Sequence, residues 1–259
     1  MNIYRRARKI AGRMARAIPW VRRQRMISCD YELISAEQAR TMRARGWFSP
    51  VTARRQQDAY NGLLVEMRAG NPRIDMVVAA EVLDELGLAE LSVLEVGCGG
   101  GYYSEIFARL PSTSIDYTGL DNSAAMVAKA QKAYPRGKVV QGDATNLQFA
   151  DGAFDVIFNG VSLMHIPDYQ AALAESARVA RRACIFHSVP VVESHPTAYL
   201  CKYAYGGKVV EVIFNRESLV RSFSEAGLAV RRVWRSIPYD VGEVLGEPSC
   251  AETFLCVPS

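Results

Sequence analysis

Apolar positions along this chain follow two periods. Short apolar runs of the kind that form buried parallel strands fall at 92–97, 115–120, 138–142, 154–159 and 183–188. Between them, apolar residues recur at the helical period near 102–110, 123–133, 169–180 and 216–226. Strands alternating with helices predict an α/β protein, a mostly parallel sheet doubly wound by helices on both faces. The tail breaks the rhythm. Leu228–Ser236 and Glu252–Val257 read as two strands with no full helix between them, which predicts an antiparallel pair at one edge.

Ahead of the first strand the pattern is helical. Helices are expected over Ser35–Ala44, Thr52–Met67 and Arg73–Leu86, with Gly70-Asn71-Pro72 ending the second. Further upstream, Ile3, Ala7, Ile10, Met14, Ile18 and Val21 share one helical face, and Arg5, Arg8, Lys9, Arg13 and Arg16 occupy the other. Three divisions follow: a basic amphipathic segment over 1–29, leading or cap helices over 30–77, and the α/β domain over 78–259. The domain contains a lid-like insert near 191–214.

Charge sharpens this division. The net charge of +4 conceals nine bases and no acid in residues 1–29, so the remainder is acidic. An anionic membrane surface would favour residues 1–25, each base adding about 1 kcal/mol near lipid. RNA and a cleaved organellar leader are other readings of the same charges, and a solvated or self-packed helix needs no partner at all. At 49% hydrophobic residues the chain can build a sizeable core. No run of 18 apolar residues occurs, and the six cysteines show neither C-x-x-C pairing nor metal-ligand spacing, so no metal is expected. A reduced, cytoplasmic setting is the expectation, with membrane association through the basic segment as an addition to it.

The chemistry concentrates at Glu95-Val96-Gly97-Cys98-Gly99-Gly100-Gly101, between the first strand and a helix start. Such a turn lets a backbone approach a nucleotide closely. Its spacing departs from the dinucleotide fingerprint G-x-G-x-x-G, because the third glycine comes one residue early, and no G-K-[ST] follows as in a P-loop. Glu95 would repel a pyrophosphate and suit an ammonium group. Asp121, at the end of the second strand, lies where such folds place a carboxylate against ribose hydroxyls; it is equally placed to cap the helix from Ser123.

Four ordered blocks together resemble class I S-adenosylmethionine (SAM)-dependent methyltransferases. They are the glycine turn, Leu120-Asp121-Asn122-Ser123 with Met126, Val140-Gln141-Gly142-Asp143-Ala144, and Phe154–Gly160, followed by His165-Ile166-Pro167-Asp168. The resemblance covers roughly Val78–Pro258. It implies a seven-stranded sheet with an antiparallel edge strand, a helical N-terminal extension, and SAM as cofactor. It assigns cofactor contacts to Glu95, Gly97, Cys98, Gly99, Gly101, Asp121, Asn122, Met126, Asp143, Ala144, Asn159 and Gly160. Met126 and Leu147 would flank the adenine. From the leading helices, Tyr60, Arg54, Arg55 and Arg68 are candidates for the methionine carboxylate.

All three histidines fall near this rim. His165 is the first candidate for a catalytic base and His187 the second, each set against a packing role. The insert carries His195, Tyr199, Tyr203, Tyr205, Gly206-Gly207 and Phe214, a lid over the acceptor or a helix packed into the core. The expected reaction is methyl transfer to oxygen or nitrogen of a small-molecule or lipid- or glycan-linked acceptor. An RNA methyltransferase using the basic segment is the alternative; nucleic acid is the less favoured partner because the body is acidic and no N/D-P-P-Y-like block follows the fourth strand. A SAM-fold subunit without catalysis is a third reading.

Overall fold

A computed structural model describes residues 28–42, 46–135 and 137–259. The basic segment 1–25 lies outside them. The elements are β1 (Ser28–Ile34), α1 (Ala36–Met42), α2 (Pro50–Arg68), α3 (Ile74–Asp84), β2 (Glu90–Val96), α4 (Tyr103–Phe107), β3 (Ser114–Asp121), α5 (Ala124–Ala133), β4 (Lys138–Gln141), β5 (Phe154–Gly160), a 3-10 turn (Leu163–His165), α6 (Tyr169–Val179), β6 (Ala180–Val192), β7 (Ala198–Ala204), β8 (Gly207–Asn215), α7 (Arg216–Glu225), β9 (Leu228–Arg235), α8 (Gly242–Leu245) and β10 (Cys250–Pro258).

The expected sheet is present as β4-β3-β2-β5-β6, parallel, continued by β10, which alone runs antiparallel, and then by β9 at the edge, which runs parallel to the central strands, so the reversed strand is next to the edge and not at it. Period-two alternation decides which side chains meet which helices. Leu91 and Val93 of β2, Val156 and Phe158 of β5, and Ala183 and Ile185 of β6 pack with Met76, Val82 and Leu83 of α3 and Ile106 of α4. Their neighbours Leu94, Val96, Ile157, Cys184 and Phe186 pack on the other face with Leu173 of α6 and Phe223 of α7. Both faces are covered, so the strands read as near-continuous apolar runs. The chain winds outward from β2 to β4 and returns to β5 beside β2. That reversal opens a crevice at the carboxyl ends of the strands.

The expectations outside the central sheet need correction. Residues 28–34 form a strand where only helices were expected, and the insert is neither a helix nor a loose lid. It is an antiparallel hairpin, β7–β8, turning at Tyr205-Gly206, both in the left-handed region with φ 51 and 86. Two residues of that conformation match strand twist across a two-residue turn. β1 pairs with β7, and β8 joins the far end of β6 at Val191 and Val192. The result is a three-stranded flap that continues the sheet past its carboxyl ends. The β1–β7 pairing could not be read from sequence, because its hydrogen bonds join segments about 170 residues apart; the β7–β8 hairpin is local.

Candidate active site

The crevice holds a cavity of about 430 Å³, within the range of small-molecule sites. One side is built at the strand ends. Gly97 and Gly99 line it, with φ of 76 and 53. A side chain at 97 is excluded twice, by that backbone conformation and by Ser162 Cβ, which would lie 2.4 Å from an added Cβ. The turn's amides are used within the protein. Gly97 N and Cys98 N donate to Leu120 O (2.7 and 2.9 Å), and Gly99 N donates to Asp121 Oδ2 (2.8 Å). A phosphate cradle needs such N–H groups free; here two hold the Leu120 carbonyl and one the Asp121 carboxylate.

Asp121 Oδ1 also accepts from Ser123 N (2.8 Å). Capping and cavity lining therefore coexist at Asp121. Burial, only partly offset by those two N–H groups, raises its carboxyl above the usual range, so hydroxyl donors from a ligand would favour its charged form. Asn122, Met126, Asp143, Ala144 and Gly160 line the same cavity. Asp143 Oδ1 accepts from Thr145 N and Oγ1 (2.9 and 2.8 Å), which fixes its carboxylate at the cavity edge.

Five expected site residues lie elsewhere: strand phase turns Glu95, Asn159 and His187 away, and the path of the glycine turn does the same for Cys98 and Gly101. Glu95 faces the α3 side, beneath the turn. It accepts from the Tyr117 hydroxyl, and its Oε1 lies against Gly160, where an added Cβ would sit 2.7 Å away. Burial pushes its carboxyl well above the usual range. Cys98 packs with Val127, Ala130 and Val139. Gly101 faces Ala130 and Tyr134 of the α5 region. Asn159 points to α6, where Nδ2 donates to Ser176 Oγ (3.4 Å). His187 is fully buried; its Nδ1 meets Thr253 Oγ1 (2.9 Å), its Nε2 meets Ser188 Oγ (3.2 Å), and the ring stacks on Phe158. None of these side chains is part of the cavity lining.

The leading helices contribute residues other than the expected arginines. Tyr60 lines the cavity and stacks on Tyr102 with ring centroids 3.6 Å apart. Gln56 lies one turn earlier, packed on Gly99, with a buried Oε1 that has no hydrogen-bond partner. Arg73 also lines the cavity and is held by a bidentate pair to Asp75 (2.7 and 2.6 Å). Arg68 instead binds Glu105 on the surface. Arg54, Arg55 and Leu147 are outside the lining. At 100° per residue, Tyr60 shares its face with Gln56 and Leu63, whereas Arg54 and Arg55 point away. Helical phase from Tyr60 would have selected Gln56.

The opposite wall is built by the flap together with the 3-10 turn and the segment after β9. His165 lines the cavity; its Nδ1 meets Val210 O (2.8 Å) and its ring lies 4.8 Å from that of Trp47. A ring nitrogen facing a carbonyl must carry the proton, so Nε2 is left as acceptor. Burial, with a further push from Lys202 that Glu211 opposes, lowers the imidazole to about 4. It is neutral near pH 7. Lys202, Glu211 and Tyr239 also line this wall.

Fold and cavity define a Rossmann-like protein with an open site at its strand ends, whose glycine turn leaves no amide cradle for a pyrophosphate. Residues 94–187, a little over a third of the chain, match the family described as "Methyltransferase domain". A demethylmenaquinone methyltransferase from Staphylococcus aureus (strain MRSA252) is 33% identical over 141 residues, covering 52% of this chain and 58% of that protein. The same enzyme from strain JH9 is 28% identical over 178 residues, covering 59% and 74%. The chain thus spans less than two thirds of the first of these relatives. Among solved structures, Burkholderia thailandensis 1,6-didemethyltoxoflavin-N1-methyltransferase, bound to its substrate and S-adenosylhomocysteine, aligns over 90% of this chain and 93% of its own, with a TM-score of 0.52 and 17% identity. The [4+2]-cyclase SpnF aligns over 71% and 81%, with a TM-score of 0.51 and 18% identity. Residues 94–187 are thus similar to methyltransferase domains, and the solved structures share the fold of the chain. One fold carrying both a methyltransferase and a cyclase leaves the reaction to the site.

Proposed function

We propose that this protein is a SAM-dependent methyltransferase acting on a small-molecule acceptor at oxygen or nitrogen. The observation that carries this reading is a single cavity bounded on one side by Asp121, Asn122, Met126 and Asp143 and on the other by His165. The residues present suit the cofactor. Asp121 offers lone pairs to ribose hydroxyls, Asp143 suits an exocyclic amine, Met126 gives an apolar face to a base, and the unpartnered Gln56 Oε1 suits an ammonium group. Arg73, at the same side, suits a carboxylate.

When bound, SAM supplies a sulfonium-linked methyl group open to in-line displacement. The chain's own work is positioning, which carries much of such a rate enhancement. The flap, α2 and the strand ends enclose the acceptor and exclude water. His165 Nε2 is free to take a proton from an acceptor O–H or N–H, and its tautomer is fixed by Val210 O.

The relatives' acceptors, demethylmenaquinone and 1,6-didemethyltoxoflavin, are small molecules, which supports that class here. Nucleic acid is disfavoured by the carboxylates of the wall. On charge alone, residues 1–25 are proposed to meet an anionic membrane surface from the cytoplasmic side. No helix among the described residues is long and apolar enough to cross a membrane. The test is calorimetric titration with SAM and NAD, then incubation with methyl-labelled SAM and fractionated extract. Saturable SAM binding and label in a small-molecule fraction are expected; NAD binding in place of SAM sinks the reading. Loss of phosphatidylglycerol-vesicle binding on removal of residues 1–25, with SAM binding retained, is the outcome expected for the basic segment.

A further inference from the structure

The flap wall contains a buried polar group that the nucleoside side does not use. Lys202 Nζ and Glu211 Oε2 form an ion pair at 2.7 Å, with side chains 7% and 1% exposed. The Tyr239 hydroxyl donates to the same Oε2 (2.6 Å). Lys202 also lies over the rings of Tyr31 and Tyr239, at 5.3 and 5.9 Å. Glu211 Oε1 is buried with no hydrogen-bond partner. An unpaired carboxylate oxygen in such a place is costly unless a donor reaches it. Lys202, Glu211 and Tyr239 all line the cavity that His165 lines.

Three features narrow what would complete this group. A ligand must bring an O–H or N–H to Glu211 Oε1. An oxygen on that ligand would find the ammonium of Lys202, which has donors beyond the one given to Glu211. On this wall the ammonium of Lys202 is already paired with the Glu211 carboxylate, so the pair offers no net positive charge. A phosphate or carboxylate on the acceptor would find no uncompensated cation there and would lie beside the Glu211 carboxylate. A hydroxyl is both donor and acceptor and carries no charge. Around it, Trp47 and Tyr205 present rings 5.8 Å apart, and Trp47 Nε1 is a further buried donor without a partner. Rings suit a flat apolar body.

We propose that Lys202, Glu211 and Tyr239 form the acceptor subsite, and that it recognises an uncharged aromatic compound through a ring hydroxyl, a phenol-type acceptor. This rests on the methyltransferase reading above and specifies its substrate class. The subsite lies on β7, β8 and the segment after β9, outside the matched residues 94–187.

The test uses the full chain saturated with S-adenosylhomocysteine and three probes: 1,4-dihydroxynaphthalene kept reduced by dithiothreitol, 1,4-dimethoxynaphthalene and 1-naphthyl phosphate. The diol is expected to bind at least tenfold more tightly than either of the others. Replacing the pair together, Lys202→Met with Glu211→Leu, removes both charges at similar volume, a change that buried ion pairs often tolerate. Cofactor-product affinity should stay within threefold while the diol preference falls below twofold. If the double variant does not fold, Glu211→Gln keeps the shape and should lose at least fivefold for the diol with no change for the dimethoxy compound. Equal binding of diol and dimethoxy compound, tighter binding of the phosphate, or binding of none of the three overturns the subsite. Failure of S-adenosylhomocysteine to bind at all overturns the methyltransferase reading instead.

Discussion

Asp121 and Glu95 show how one residue's phase on a strand sets its role. Both are acids at strand ends beside the glycine turn. Asp121 is turned to the cavity by its two backbone donors, Gly99 N and Ser123 N; Glu95 is turned beneath the turn, to Tyr117. Asp121→Ala should weaken SAM binding by about 1–3 kcal/mol, the scale of hydrogen bonds to a charged group. Calorimetry measures it, and Asp121→Asn, which keeps one acceptor oxygen, should lose less. Glu95→Gln should keep SAM affinity within threefold, because glutamine still accepts from the Tyr117 hydroxyl and lies outside the cavity lining. A tenfold loss would place Glu95 in contact with the ligand after all. The motif made both acids legible as a pair, but only alternation along β2 separates them. The same alternation moves Asn159 and His187 away from the cavity, which motif matching cannot register.

At the scale of elements, the parallel core was legible because each strand is a short apolar run and each helix keeps its own period. The flap was not, because its β1–β7 pairing joins partners distant in sequence and its β7–β8 hairpin reads as a helix or a lid. Its one local signal was Tyr205-Gly206-Gly207, a turn sequence that reads equally as a hinge. The flap is anchored where β8 passes into α7. Asn215 Oδ1 accepts from Ser218 N (3.0 Å), and its Nδ2 donates to Glu193 O and His195 O (2.9 and 3.2 Å). One side chain therefore caps α7 and ties the β6–β7 connection to it. Asn215→Ala should cost about 1–2 kcal/mol of unfolding free energy. Asn215→Asp keeps the cap acceptor and loses only the two donors, whose carbonyl partners are near solvent, so chemical denaturation should show a smaller loss. Equal losses would mean that the tie to the β6–β7 connection, rather than the cap, carries the stability.

For the whole molecule, the buried histidines set the response to acid. Burial lowers both His165 and His187 to about 4, against about 6.5 when unfolded. Between those values the unfolded chain binds more protons than the folded one, so folding stability falls as pH drops from 6.5 to 4 and the loss is complete below that. Each histidine contributes about 3 kcal/mol over this window. Glu95 and Asp121 act in the opposite sense, because burial raises their folded values and makes the folded state the tighter proton binder. Asp155, lowered to about 2 by Ser92, Arg182 and Arg181 against its partial burial, loses its stabilisation only below about 4. A single acid-unfolding curve mixes these signs, and a comparison separates them. His187→Gln lies outside the cavity lining and leaves the carboxylates untouched. The difference in unfolding free energy between wild type and this variant should shrink by about 3 kcal/mol from pH 6.5 to pH 4, measured by denaturant titration at each pH. Parallel curves across that range would show that His187 titrates in the folded protein as it does in water, and that the packing around Phe158 and Thr253 does not exclude its charge.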